Sequence, residues 1–328
     1  MKIQSSDFSI IIQGPVLGKP DDEDEKQLTK KCIASVKNVL PGSEIIISTW
    51  INTDVSHLDY DKIVFNEDPG SISYNDYNLK NKFNNNNRQI VSTNNGLKVA
   101  SRKFAIKLRG DCKLSHNGFI DFLSEYPNRG KYCFFDQRII TSNVFSLNPR
   151  KAPVLFHISD IFQVGLTSDM KQLWDIELQL EPQTTRAVQS GWIKWNDPYS
   201  EGGYEMKFAS EQYIWFAFCK KYNLNLNLKF YSEIPLNKIV KSELSIINNF
   251  VIASPNELGF VLPDKMIEFL NYPLIYSSQE WIELYDKYCV KGISIFDKIE
   301  LICKTILNSY KFRCIFLMLK LKKLFKKA

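Results

Sequence analysis

Histidine is scarce in this chain, and its three copies, His57, His116 and His157, lie far apart. Zinc sites draw on closely spaced ligands, so this scatter argues against one. Cysteine does not make up the deficit. The seven thiols, Cys32, Cys112, Cys133, Cys219, Cys289, Cys303 and Cys314, form no C-x-x-C pair and no regular spacing. An odd number, set mostly in apolar runs, reads as reduced and buried thiols rather than a disulfide framework. No apolar run reaches the roughly 18 residues of a spanning helix. Residues 1–7 are too short and polar for a secretory signal. The reading is a cytoplasmic protein.

Two phosphate-binding fingerprints are also missing. G-x-G-x-x-G occurs nowhere in the chain. Gly14 to Lys19 follows an apolar run and approaches a P-loop, but it is one residue short. Pro20 takes the Ser/Thr place, and no helix pattern opens there. An NTPase loop is therefore excluded.

What remains is a globular composition, 44% apolar and 24% charged over 328 residues. That length allows one large domain or two small ones. Aromatics reach 13%, which fills cores and also suits carbohydrate-facing surfaces. The net charge of +6 is unevenly placed. Lys311, Arg313, Lys320, Lys322, Lys323, Lys326 and Lys327 occur in a tail with no acid. The rest of the chain holds 35 basic against 36 acidic side chains. Leu and Phe residues alternate with those cations in blocks, as in a helix lying on an anionic membrane surface. The alternative is a tail packed on the body or on a partner helix. No base-stacking or zinc pattern accompanies the tail, so nucleic-acid binding is excluded.

Periodicity predicts a first strand from Phe8, ended by Gln13, Gly14 and Pro15. A helix through Leu28, Cys32, Val36 and Val39 follows an acidic run, and Pro41-Gly42 stops it. Strands are predicted at 44–50 and 62–66, the second running into Glu67, Asp68, Pro69 and Gly70. This order argues for βαβ units and a mainly parallel sheet flanked by helices. The run 84–87 of four Asn reads as a surface loop without chemistry. Further strands are expected at 104–108, 131–136, 153–158 and 222–231, and helices at 118–123, 168–174, 210–219, 265–272, 279–288 and from 296 on. The irregular stretch 177–203 has the length of a segment that covers or shapes a site.

The centre of interest is Lys107-x-Arg109-x-Asp111 at the end of a short buried strand, preceded by Arg88, Gln89 and Ser92 on a polar helix. In open α/β sheets ligands bind beyond the carboxyl ends of the strands. Two cations and a carboxylate there suit a phosphate joined to a hydroxyl-rich group, such as a nucleotide sugar. Either Asp111 binds a divalent cation with help from water and phosphate, or Arg109 pairs with phosphate directly.

Several stretches resemble the WavE family of lipopolysaccharide-synthesis proteins. They are residues 9–16 (Ser-Ile-Ile-Ile-Gln-Gly-Pro-Val), Asp68-Pro69-Gly70, residues 87–93 with Gly96-Leu97, residues 105–111, His157-Ile-Ser-Asp160 with Gly165, and Ser210-Glu211-Gln-Tyr213. The resemblance runs from about Phe8 to Phe216 and leaves the last hundred residues unmatched. It implies a GT-A-like glycosyltransferase of surface polysaccharide assembly. Many such enzymes carry Asp-x-Asp after a strand to hold Mg²⁺ or Mn²⁺ on the donor diphosphate; here Arg109 replaces the first carboxylate.

On this resemblance Gln13, Gly14 and Pro15 would border base and ribose, as would Asp68, Pro69 and Gly70. Arg88, Gln89 and Ser92 would meet phosphate or sugar hydroxyls, and Lys107, Arg109 and Asp111 would hold the anionic end of the donor. Asp160 and Glu211 are the candidate bases for the acceptor hydroxyl. Asp169 is a third candidate base that also reads as an ordinary first-turn helix acid, and His157 reads as a packed, hydrogen-bonded residue. The expected organisation is a catalytic domain over 1–250, a helical extension over 251–310 and a basic amphipathic tail over 311–328. The expected reaction moves a sugar onto a polyprenyl-diphosphate-linked oligosaccharide at the inner face of a bacterial inner membrane, in O-antigen synthesis. A CMP-linked acidic sugar such as sialic acid fits a metal-free Arg/Lys site. The alternatives are a metal-requiring UDP- or dTDP-hexose enzyme, or a non-catalytic binding scaffold.

Overall fold

Continuous apolar runs become the inner strands of one sheet. In this computed structural model residues 3–75, 81–180, 208–222, 224, 226, 228, 231 and 233–325 are described, with backbone only at 74–75, 81–82 and 312–325. The strands are β1 (Phe8–Gln13), β2 (Glu44–Trp50), β3 (Lys62–Asn66), β4 (Ile72–Asn75), β5 (Asn81–Asn84), β6 (Phe104–Arg109), β7 (Lys113–Leu114), β8 (Ile139–Ser142), β9 (Gln163–Leu166), β10 (Phe250–Ala253) and β11 (Phe260–Val261). Seven of them form the main sheet, in the order β3-β2-β1-β6-β9-β8-β10. Every neighbouring pair is parallel except those made by β9, which runs against both β6 and β8. The expected α/β fold, a mainly parallel sheet flanked by helices, is what forms.

The helices are α1 (Leu28–Val39), α2 (Asn86–Val99), α3 (Phe122–Glu125), α4 (Thr167–Trp174), α5 (Ser210–Lys221), α6 (Leu236–Asn249), α7 (Pro255–Leu258), α8 (Ser278–Tyr285) and α9 (Ile295–Phe325). Because helices cover both faces of the sheet, successive residues of β1 and β2 are buried alike; Ile10, Ile11, Ile45 and Ile46 are all excluded from solvent. Each such side chain contributes about 2 kcal/mol through burial. α2 packs on β1, β2 and β3. It can do so closely because Gly96 faces the sheet: a Cβ there would sit 2.6 Å from Ile11 Cγ2 and 3.0 Å from Ser48 Cβ.

The strand order reverses at β1, with β2 on one side and β6 on the other. A crevice opens at such a switch point, outside the carboxyl ends of the strands. The register puts Gln13 beside Arg109 at those ends. The sequence pattern therefore locates the crevice through two residues already singled out.

Several expected elements take another form. Residues 131–136 are a loop, and the strand of that region is β8. Phe134 and Phe135 are apolar for another reason: they pack with Trp215 and Phe218 of α5. Residues 153–158 are buried but irregular, and the strand that follows them is β9. Leu224, Leu226 and Leu228 are buried outside any strand, and the residues between them lie outside those described. The stretch 265–272 is a short 3-10 helix, Asp264–Phe269. A boundary after residue 250 would divide β10, which pairs with β8 in the main sheet. The region after it is woven into the body, since β11 pairs with β7. The expected covering stretch 177–203 lies mostly outside the described residues, as do the side chains of the basic tail; the α9 backbone continues to Phe325. Among the described residues no helix is long and apolar enough to cross a membrane.

Candidate functional site

A cavity of about 500 Å³ opens at the switch point. Gln13, Gly14, Pro15 and Leu17 line it from the end of β1, and Trp50 from the end of β2. Asp68 follows β3, while Asn85, Arg88 and Gln89 come from the start of α2. Arg109, Gly110 and Asp111 close it from β6, together with Lys265. Gly14 leaves β1 with φ +99, a turn in which other residues are strained, and its N–H donates to Ser48 O at 3.0 Å. Eight of the residues expected at the donor thus share one wall or another of a single cavity.

Two arginine–carboxylate forks face this space. Arg109 donates from Nε and Nη2 to Asp111 Oδ1 and Oδ2 at 2.9 and 2.8 Å. Lys265 Nζ lies 2.9 Å from the same Oδ2. Arg88 donates from Nε and Nη2 to Asp68 at 2.7 and 2.6 Å, and from Nη1 to Asn85 Oδ1 at 3.0 Å. The Gly70 N–H donates to Asp68 as well, at 2.9 Å. Burial would raise the Asp111 carboxyl, but Arg109 and Lys265 hold it below its ordinary value. Arg88 and then Gly70 hold Asp68 low likewise. Three cations against two carboxylates leave the lining net positive, ready for an anion.

The remaining expected residues stand behind or beside this lining. Ser92 is buried and donates to Gln13 Oε1 at 2.8 Å, so it orients a lining amide. Pro69 and Gly70 shape the Asp68 turn without lining the cavity. Lys107 differs from expectation. It is fully buried, donates to the backbone oxygen of Asp160, and holds its ammonium 4.8 Å above the Trp174 ring. The cause is depth along the strand: alternation puts residues 107 and 109 on one face, but 107 lies two residues further inside the sheet, against Trp174 of α4. Burial pulls Lys107 down to about 8, against the pull of Asp160.

Asp160 and Glu211 form a second acidic centre. Asp160 is buried, and the Glu211 side chain is 18% exposed. Burial first, and the charge of Asp160 second, push the Glu211 carboxyl up to about 8, while Lys107 and Arg109 oppose the rise. Arg109 therefore faces both centres electrostatically, the anion cavity and the acid pair. His157 is buried as expected, its Nδ1 bonded to Phe145 O at 2.8 Å. Asp169 is buried and accepts the backbone N–H groups of Asp136 and Gln137 at 3.0 and 2.9 Å, which holds the loop before β8.

A divalent cation does not fit the donor set at Asp111. Both its oxygens are taken by Arg109, and Lys265 adds a second positive charge. Among the described residues no three His, Cys, Asp or Glu side chains converge as ligands.

Three features lay outside the sequence reading. Lys265 is 154 positions from Asp111, and nothing local marks it. Trp50 ends a strand that reads as core. The Asn run at 84–87 is not a bland loop: Asn85 lines the cavity, while Asn84, Asn86 and Asn87 are buried and bond to Gln179. Asn84 also accepts the Asn86 N–H at 2.8 Å. These amides fix the start of α2, a role that the repeat itself disguises.

Fold and crevice together define a mainly parallel α/β protein with a net-positive cavity at its switch point. The family is found from sequence: the model for WavE lipopolysaccharide synthesis matches residues 8–311, and the chain belongs to that family. The match extends well past Phe216, so the C-terminal region that brings Lys265 is part of the family pattern. No curated protein matches the chain. Among solved structures, a cytidylyltransferase from Leptospira borgpetersenii is 13% identical, covering 74% of this chain and 97% of its own, with a TM-score of 0.31. The 4-diphosphocytidyl-2C-methyl-D-erythritol synthase of Anaerococcus prevotii is 11% identical, covering 54% and 81%, with a TM-score of 0.31. HddC from Yersinia pseudotuberculosis, complexed with GMP-PN, is 11% identical, covering 50% and 78%, with a TM-score of 0.28.

Proposed function

We propose that the chain is a metal-independent glycosyltransferase of lipopolysaccharide synthesis that uses a CMP-linked acidic sugar. Family membership supports the pathway. The observation that carries the reaction is the pairing of Asp111 with Arg109 and Lys265 in a cavity that also holds the Arg88–Asp68 fork. A CMP-linked acidic sugar presents one phosphate and one carboxylate. Two separate arginine stations suit two separate anions, and neither needs a bridging metal.

In this reading Gln13, Gln89 and Asn85 supply amides to base and ribose, and Trp50 supplies an aromatic face. The acceptor hydroxyl oxygen attacks the anomeric carbon. Its proton passes to the Glu211 carboxylate as the O–H bond breaks. The bond from the anomeric carbon to the phosphate oxygen breaks, and its electron pair leaves with CMP. Arg109 and Lys265 meet that charge. Asp160 keeps the proton affinity of Glu211 high, which makes Glu211 a stronger base once ionised. The acceptor is a lipid-linked oligosaccharide, and the basic C-terminal end of α9 rests on the membrane that carries it.

The test is a panel of CMP-, UDP-, GDP- and dTDP-sugars, read by thermal shift and by donor hydrolysis, with and without EDTA. CMP-linked acidic sugars should stabilise the protein and turn over equally well with EDTA present. Strict metal dependence, or selective use of a UDP- or dTDP-hexose, refutes the donor assignment. Full activity in both Asp160→Asn and Glu211→Gln refutes the base assignment.

A further inference from the structure

His157 looks like a satisfied core residue until its second nitrogen is considered. Nδ1 lies 2.8 Å from the Phe145 carbonyl oxygen. A carbonyl only accepts, so Nδ1 carries the hydrogen and Nε2 carries the lone pair. That Nε2 is buried and has no hydrogen-bond partner among the described residues. Glu211 Oε2 lies 4.0 Å away. A movement of about 1 Å brings the two into hydrogen-bond range. An orphaned buried acceptor calls for an explanation, and a proton-bearing carboxyl next to it supplies one.

The backbone around His157 points the same way. Four described residues other than glycine have positive φ: Asn52, Tyr132, Phe145 and Phe156. Two of these frame the imidazole. Phe145, at φ +65, offers the carbonyl that fixes Nδ1, and Phe156, at φ +57, immediately precedes His157. Bulky residues resist this conformation, and such strain gathers where a side chain must be aimed. Tyr231 closes the other side, its ring set edge-on to the imidazole at 5.9 Å.

We propose that His157 is a positioning residue for Glu211. Its Nε2 lone pair accepts the hydrogen that one Glu211 oxygen takes from the acceptor hydroxyl, and so holds the protonated carboxyl in place and favours the transfer. The inference rests on Glu211 being the base of the proposed transfer. The groups facing Glu211 are Asp160, which favours its proton, and Lys107 and Arg109, which oppose it. Burial keeps His157 itself neutral, pulling it down to about 4, so the lone pair persists across the working pH range.

His157→Asn leaves an amide nitrogen near the Nδ1 position for Phe145 and deletes the Nε2 acceptor. His157→Gln places an amide near the Nε2 position instead. The carboxyl C=O band of Glu211, isolated by infrared subtraction of Glu211→Gln, reports its protonation without turnover. In His157→Asn its midpoint should fall by about one pH unit, the tenfold change expected from losing one hydrogen bond. His157→Gln should recover part of that shift. The rising limb of the pH–rate profile should move with the band. A midpoint that stays put in both variants while the fold is retained overturns the proposal. A moved band with no turnover of any nucleotide sugar refutes the transferase reading and leaves this pairing intact. Turnover with an unmoved limb does the reverse.

Discussion

Replacing Glu211 with glutamine should make the protein more stable at alkaline pH, and by a calculable amount. The folded protein holds the Glu211 proton to about pH 8, whereas the unfolded chain releases it near 4.5. Each tenfold change in proton affinity is worth about 1.4 kcal/mol, so ionising Glu211 within the fold costs on the order of 5 kcal/mol. The sign follows from proton counts. Between those two pH values the native state binds more protons than the unfolded state, so wild-type stability falls as pH rises. The loss begins near 4.5 and is complete above about 8. The amide of Glu211→Gln never ionises and escapes it. The assay is urea denaturation of both proteins at pH 5, 7 and 9. The variant's advantage should grow at each step, and it should shrink in an Asp160→Asn background, where a second source of the raised affinity is removed. An equal difference between the proteins at every pH refutes the buried-carboxyl argument, and with it the view of Glu211 as a tuned base.

Other expectations are more direct. Arg109→Ala should lower kcat/KM for the donor about 100-fold, because a buried charge-assisted fork is lost, while Lys265→Ala, at a more exposed position, should raise KM about fivefold with little change in kcat. Steady-state kinetics with a CMP-linked sugar separates the two, and equal effects would contradict their assigned roles. Glu44→Gln should destabilise the protein by about 3 kcal/mol near neutral pH. Burial opposes the Glu44 charge, yet Lys62, Ser9 and Ser101 hold it to about 2, so its contribution is present above 4.5 and lost as pH falls through about 2. Acid denaturation curves of the two proteins should therefore converge at low pH. Deleting residues 312–328 should abolish cosedimentation with anionic vesicles at low salt while leaving hydrolysis of the soluble donor unchanged; retained vesicle binding would refute the membrane role of the tail.

The first half of the sheet was legible because strands buried on both faces must be apolar without interruption, and β1, β2 and β6 announce themselves that way. The second half was not. The apolar runs at 131–136 and 153–158 are loops whose side chains enter the core, and their short neighbours β8 and β9 carry Ser, Thr, Gln and Gly instead. Arg88, Arg109 and Asp111 were readable because they stand where strand or helix ends, the places at which a sheet of this kind exposes chemistry. Lys107 misled because a charge at a strand end suggests solvent, and standing two residues further back along the strand buried it. Lys265 had no local signature at all. It reaches the site through pairing of β7 with β11, a long-range contact invisible to any periodicity.

Gly96 carries a consequence for specificity. It lets α2 settle against Ile11 and Ser48, and α2 bears Arg88 and Gln89 about two turns away. On the proposed function, the gap between that helix and the sheet is thus the calliper that gauges the nucleotide. A single methyl at 96 would pry the jaws apart without altering any residue that lines the cavity, so on that reading the breadth of bases admitted can drift through a position set wholly behind the site.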